Sequence, residues 1–360
     1  MTTQTGKTAL ITGASSGIGK ELATLFAQDG YNLVLVALSD EKLNAVEQDF
    51  KSAYSGQQIT VIGKDLAAVN APQEIYDELS GQGIQVDVLV NNAGFGEYGM
   101  FATETDLQKE LDIIQVNISA LVYLTKLFSK DMVQRNSGKI LMLGSVASVM
   151  PNPMMAVYGA TKSFIYSFSE ALRNELKDSD VTVTVLMPGA TDTDFFNRAG
   201  AMNTKAQEEA RKTDPARVAK DGYEALMAGK DKVISGMKNK LSVASSYVLP
   251  DGAVAANMRK QMQDKNYATD QEEESQMNSL LLGVGVAALA VAGLLLFRSY
   301  NNLSTYDKLR YRAKAKRLSW KAQQMANEYT NQAQHAGQSV VDSLKGAYQN
   351  GKARVEETLA

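Results

Sequence analysis

Thr8-Ala9-Leu10-Ile11-Thr12-Gly13-Ala14-Ser15-Ser16-Gly17-Ile18-Gly19 is the stretch that sets the fold. Thr8 to Ile11 reads as a short buried strand, and Leu22, Leu25 and Phe26 mark the apolar face of a helix after the glycines. Glycines let the backbone turn sharply and come close to a pyrophosphate. The following helix offers unpaired N–H groups and the positive end of its dipole. The spacing is Gly-x-x-x-Gly-x-Gly, not the Gly-x-Gly-x-x-Gly of the commonest dinucleotide-binding turn. A glycine-rich turn can be mere punctuation, but strand, turn and helix here come in the order a phosphate site needs.

Outward from this unit, strands and helices alternate. Apolar strands are expected at 32–37, 59–63, 86–90, 139–143, 181–186 and 232–235, with helices at 41–53, around 75–79, at 107–133, around Tyr158, and at 218–227. Near-continuous apolar strands separated by helices predict an α/β fold, a doubly wound parallel sheet covered on both faces. Such sheets bind ligands beyond the carboxyl ends of their strands, where Gly13, Asp65, Asn91, Ser145 and Pro188 all stand.

Composition removes much other chemistry. The 360 residues contain no cysteine and a single histidine, His335 near the C-terminus, so disulfides, thiolate metal sites and a Ser-His-Asp triad in the main domain are excluded and no metal site is expected. A formal net charge of −3 predicts no general affinity for nucleic acid. Residues 1–7 hold no apolar signal core, which suits the cytosol.

Tyr158-Gly159-Ala160-Thr161-Lys162 puts a phenol and an ammonium one turn apart on one helix face. A tyrosine titrates near 10 in water, so acid–base work at neutral pH needs a stabilised phenolate, and a cation at i+4 is suited to that. Alone, the spacing occurs by chance in many helices.

Together with Thr12 to Gly19, Asp65, Asn91 to Gly94, Asn117, Ser145 and Pro188-Gly189, it closely resembles the short-chain dehydrogenase/reductase family over roughly residues 5–263. The run Val233-Ile234-Ser235-Gly236, followed by Lys238-Asn239-Lys240, is similar to bacterial reductases of that family. The resemblance implies a Rossmann fold, a nicotinamide cofactor, a homo-oligomer, and hydride exchange between the cofactor and a carbonyl/hydroxyl pair. It implies that Tyr158 gives or takes the proton and that Lys162 lowers its pKa and holds the nicotinamide ribose, helped during alcohol oxidation by the positive charge of the oxidised ring. By the same resemblance Ser145, 13 residues before Tyr158 and better spaced than Ser148, binds the substrate oxygen. Asn117 holds a relay water in that picture; capping of a helix bend is its other reading. The implied cofactor contacts are Gly13, Ser15, Ser16, Gly17, Ile18, Gly19, Ser39, Asp65, Leu66, Asn91, Ala93, Gly94, Tyr158, Lys162, Pro188, Gly189, Thr191 and Thr193.

Cofactor choice departs from both family patterns. Ala37 stands where an NAD enzyme has an acid, and Leu38 where relatives offer an arginine, leaving Ser39 as a donor and Asp40 close by. With no carboxylate at that position to repel a 2′-phosphate, NADP is expected over NAD.

After an acidic linker, 264–279, an all-α appendage begins. Residues 280–297 run for 18 positions without a polar or charged side chain, about 27 Å as a helix and close to the hydrocarbon thickness of a bilayer. A membrane helix is expected there, with a small-xxx-small pair in Gly283 and Ala287. The tail, 298–360, opens with a basic run from Lys308 to Arg317 suited to anionic lipid headgroups and continues as amphipathic helices. Charge asymmetry would put the tail in the cytoplasm, but a soluble cofactor argues for a membrane-associated enzyme whose catalytic domain, 1–263, faces the cytoplasm. The tail is then translocated or returned by a hairpin-like insertion. Tethering, with Phe195, Phe196 and Met202 in the segment 191–212, points to an apolar carbonyl or alcohol substrate. The rival expectations are a cofactor-binding sensor without turnover and a membrane scaffold.

Overall fold

The computed structural model describes residues 5–38 and 41–264. Ser39 and Asp40 lie outside the described residues, as do His335, the linker from 265 onward, the apolar run 280–297 and the tail.

The strands are β1 (Thr8–Thr12), β2 (Asn32–Ala37), β3 (Ile59–Gly63), β4 (Val88–Asn91), β5 (Gly138–Leu143), β6 (Val181–Met187) and β7 (Lys232–Ile234). The helices are α1 (Gly17–Gln28), α2 (Glu41–Ala53), α3 (Ala71–Gly81), α4 (Leu107–Ile114), α5 (Leu121–Gln134), α6 (Ala156–Glu175), α7 (Phe195–Arg198), α8 (Lys205–Ala210), α9 (Pro215–Met227), α10 (Met237–Ser246) and α11 (Asp251–Met262). All strand pairs are parallel, in the order β3-β2-β1-β4-β5-β6-β7. This is the expected doubly wound Rossmann sheet.

Alternation along each strand explains the continuous apolar runs. Ala9 and Ile11 of β1 enter a core with α1, α2 and α9, while Leu10 between them enters a second core with α3, α5 and α6. Register keeps these layers together: Leu10 sits opposite Val34 of β2 and Leu89 of β4. The chain leaves β1 toward β2 and β3, then returns to place β4 on the other side of β1. That reversal opens a crevice beyond the carboxyl ends of β1 and β4.

Between α4 and α5 the helix widens into a π-helical segment, Gln115–Ala120, which carries Asn117. The whole stretch Leu107–Gln134 is long and apolar enough to cross a membrane by length and composition. It nonetheless packs on the sheet through Leu121, Leu124, Phe128 and Met132 and buries Asn117 and Thr125, which marks it as a core helix of this domain. Helices α7, α8, α10 and α11 were not anticipated from sequence.

Candidate active-site cleft

A cleft of about 310 Å³ runs over the carboxyl ends of β1, β4, β5 and β6. A second depression of about 440 Å³, lined by Tyr76, Asp131 and Arg135, opens by Val86 at the amino end of β4 and holds none of the marked residues.

At one end of the cleft lies the glycine turn. Gly13 and Gly17 have φ of +66° and +53°, in the left-handed region that glycine enters without a Cβ penalty. A Cβ on Gly13 would stand 2.8 Å from Asn92 Nδ2, and one on Gly17 2.8 Å from Thr193 Cγ2. The bare backbone therefore forms a cradle between β4 and the loop after β6. The N-cap of α1, Ser16, makes no side-chain cap bond, and no acidic residue occupies the first turn. Uncapped N–H groups at a positive helix end, beside a glycine-rich turn whose only polar side chains are the small Ser15 and Ser16, fit a pyrophosphate. Gly19 is closed in by backbone, since its Cβ would come within 2.2 Å of Gly13 O. Gly19→Ala is expected to destabilise the domain by about 1–3 kcal/mol, read as a lower melting temperature in thermal unfolding.

Asn92, not Asn91, serves this end. Asn92 Nδ2 donates to Thr12 O (2.8 Å) and Gly13 O (3.2 Å), pinning the turn to β4, and Asn92 lines the cleft. Asn91 instead turns into the core, donating to Thr125 Oγ1 at 2.9 Å, and its side chain does not reach the cleft. The cause is strand alternation, which sends successive side chains to opposite faces. Further along, Ser15, Ser16, Ile18, Asp65, Leu66, Ala93, Gly94, Pro188, Gly189, Thr191 and Thr193 all line the cleft with Gly13, Gly17 and Gly19. Sequence reasoning missed Lys64, which lines the cleft beside Ala37 and Leu38. Its backbone N–H donates to Ala37 O (2.8 Å), and its amine pairs with Glu74.

At the other end, β5 delivers Ser145 and α6 delivers Tyr158 and Lys162. Ser145 caps a short 3-10 turn, its Oγ accepting from Ala147 N at 3.1 Å, while Ser145 N donates to Ser148 Oγ at 3.1 Å. Ser148 supports Ser145 and does not line the cleft. The Ser145 and Tyr158 side chains line the same end of the cleft, and the serine hydroxyl lowers the proton affinity of the phenol. Lys162 is buried, donates to Leu143 O at 2.8 Å, and lies 5.6 Å from the centre of the Tyr158 ring.

The electrostatics differ from the expected activation of the phenol. Burial pushes Tyr158 up to about 12, the Ser145 hydroxyl opposing only in part, and burial brings Lys162 down to about 8. Loss of water sets both values, because desolvation disfavours the charged form of each group.

Asn117 is fully buried and does not line the cleft. Its Oδ1 accepts from Phe95 N (3.1 Å), and its Nδ2 donates to Phe95 O (3.0 Å) and Thr161 Oγ1 (3.0 Å). The amide clamps the loop after β4 to the helix that carries Tyr158 and Lys162. Gly94 lets this loop lie close, since a Cβ there would stand 2.9 Å from Asn117 Oδ1.

The wall around Tyr158 is apolar. Phe195 stacks obliquely on it with ring centres 5.0 Å apart, and Met155, Phe196 and Met262 pack in the same cluster. Met258, Gln261 and Met262 of α11 complete the rim. Nothing in the strand–helix pattern announced α11 as part of the site.

Comparison with known proteins places this geometry. Residues 7–204 match the sequence profile of the short chain dehydrogenases. A very-long-chain 3-oxoacyl-CoA reductase of Mycosarcoma maydis is 37% identical over 179 residues, 49% of this chain and 51% of the relative. The 17-beta-hydroxysteroid dehydrogenase type 3 of Mus musculus is 31% identical over 210 residues, 57% of this chain and 66% of that protein. The chain thus spans about half to two-thirds of the length of these curated relatives. Among solved structures, a short-chain dehydrogenase from Sphingobium yanoikuyae in complex with NADPH superposes with a TM-score of 0.59 at 29% identity, covering 70% of this chain and 95% of that one. With the profile matching more than half of its residues, the chain belongs to the short-chain dehydrogenase family.

Proposed function

We propose that this protein is a nicotinamide-dependent oxidoreductase that reduces the carbonyl of a lipophilic ketone, with Ser145, Tyr158 and Lys162 as catalytic residues. One observation carries the reading: the Ser145 hydroxyl, the Tyr158 phenol and the buried Lys162 ammonium share a cleft with the glycine turn. A nicotinamide cofactor held by the glycine turn, Asn92 and Lys162 would supply hydride to the carbonyl carbon. Ser145 Oγ and Tyr158 Oη donate hydrogen bonds to the carbonyl oxygen and fix its position. As charge builds on that oxygen, Tyr158 passes it a proton. A phenol held near 12 is protonated at neutral pH, which suits the acid of a reduction better than the base of an oxidation. Lys162, still mostly charged at pH 7, stabilises the phenolate that remains. Asn117 acts as a positioning residue, holding Phe95 and Thr161 so that the loop and α6 keep their spacing.

The apolar wall of Met155, Phe195, Phe196, Met258 and Met262 supports a ketone borne on a large hydrocarbon body. The two relatives, named for 3-oxoacyl thioesters and for hydroxysteroids, share that chemistry. A substrate panel followed by nicotinamide absorbance tests it: long-chain or steroidal ketones turn over, and turnover of small polar ketones alone would overturn it.

NADP is the proposed cofactor. Ala37 leaves no carboxylate at the end of β2, and Lys64 offers a cation along the same edge of the cleft. Lys64→Ala is expected to raise the KM for NADPH about tenfold and leave that for NADH unchanged. Equal effects on both would remove Lys64 from phosphate recognition. The protein is further proposed to be membrane-associated through 280–297, with the catalytic domain on the cytosolic side, where the cofactor is available.

A further inference from the structure

We infer that α10 is a membrane-docking face that sets the mouth of the catalytic cleft against an anionic lipid bilayer. Met237, Leu241, Ala244 and Val248 recur at i, i+4, i+7 and i+11, with Tyr247 beside them, so they form one stripe along α10 and its C-terminal turn. Met237 is 77% exposed, Leu241 66%, Tyr247 67% and Val248 60%. The opposite face of α10 is already seated, with Val243 packed in a small core with Val254 of α11. The stripe is therefore surplus to the domain's own packing. Single exposed apolar residues are ordinary, but a continuous apolar stripe on a seated helix marks a surface for a partner.

Charge and chain geometry select lipid as that partner. From Met237 to Met262 the cations Lys240, Arg259 and Lys260 stand beside a single acid of that segment, Asp251, while Lys238 pairs with Glu209 of α8 at 2.6 Å, in a chain of net charge −3. Apolar residues flanked by lysines suit the boundary between acyl chains and anionic headgroups. Only 15 residues, 265–279, separate the described domain from the apolar run at 280. Even fully extended they reach about 50 Å, so a domain tethered by that run stays at the bilayer surface. Next to α10, α11 lends Met258, Gln261 and Met262 to the cleft rim. Docking through α10 brings that rim to the lipid and gives an apolar ketone a path that avoids bulk water. The inference rests on the membrane association proposed above.

The absence of cysteine permits a direct test on the full chain. Leu241→Cys, Val248→Cys and Lys51→Cys are each labelled with an environment-sensitive fluorophore; Lys51 lies on α2, beside the edge of the sheet farthest from β7. Phosphatidylcholine vesicles with about a third phosphatidylserine, carrying a lipid-embedded spin-label quencher, are then added. Labels at 241 and 248 are expected to lose at least about half of their emission, while the label at 51 keeps it. Flotation with the vesicles but no quenching at 241 and 248 overturns the docking face and leaves the membrane association standing. No flotation overturns both. A change at 241 that tracks protein concentration before vesicles are added assigns the stripe to a second copy of the chain and overturns the lipid assignment.

Discussion

Tyr158→Phe is expected to fold, to bind its dinucleotide, and to lose ketone turnover by about 10²–10⁴-fold. The substitution deletes one oxygen and keeps the ring, so the contact with Phe195 and the packing of the surrounding apolar cluster remain. What disappears is the proton for the developing alkoxide. Because the lost interaction strengthens only as charge develops, the fall should appear in kcat with KM little changed. Thermal unfolding and NADPH binding measured beside turnover separate this from a damaged fold. A variant that keeps more than a tenth of wild-type turnover would assign the proton to another group.

The parts of this design that a sequence can carry are those fixed by period and order. Leu10 between Ala9 and Ile11 already reads as a strand buried on both faces, and the structure sends those side chains into separate cores. Parallel topology then brings the ends of β1, β4, β5 and β6 together, so Gly13, Gly94, Ser145 and Gly189 meet although they are far apart in the chain. Three features were out of reach for physical reasons. Which of Asn91 and Asn92 faces the cleft depends on the phase of the pleat at the end of β4, which two adjacent identical residues do not reveal. The rim from α11 depends on a long-range contact, a bridge between Thr204 and Asp264, that no local periodicity encodes. The balance at Tyr158 and Lys162 depends on how much water each loses, whereas spacing reports only that they are neighbours.

That balance leads to the second large effect, in which Lys162→Met abolishes turnover and raises stability. Lys162 is 3% exposed, and its pKa of about 8 in the folded chain lies below the 10.5 of a free lysine. The unfolded chain therefore holds this proton more tightly than the folded one. Below pH 8 both states carry the charge, and the folded state bears the whole desolvation cost, about 3 kcal/mol for a shift of this size. Between pH 8 and 10.5 the folded chain sheds the proton first, so this contribution to stability rises with pH until the cost is gone. Methionine is unbranched, apolar and flexible enough to fill the space, but it leaves Leu143 O without the donor at 2.8 Å, which returns about 1–2 kcal/mol. The net gain at pH 7 is about 1–2 kcal/mol, a rise of about 2–8 °C in melting temperature. It should vanish by pH 10, before the raised pKa of Tyr158 begins to act with the opposite sign. Turnover moves the other way: the variant loses the cation that stabilises the phenolate, and wild-type ketone reduction falls as pH climbs through about 8. A Lys162→Met protein that is both inactive and less stable at pH 7 would mean that the ammonium holds the fold together; inactive and more stable means that the fold tolerates a buried charge for the sake of the reaction.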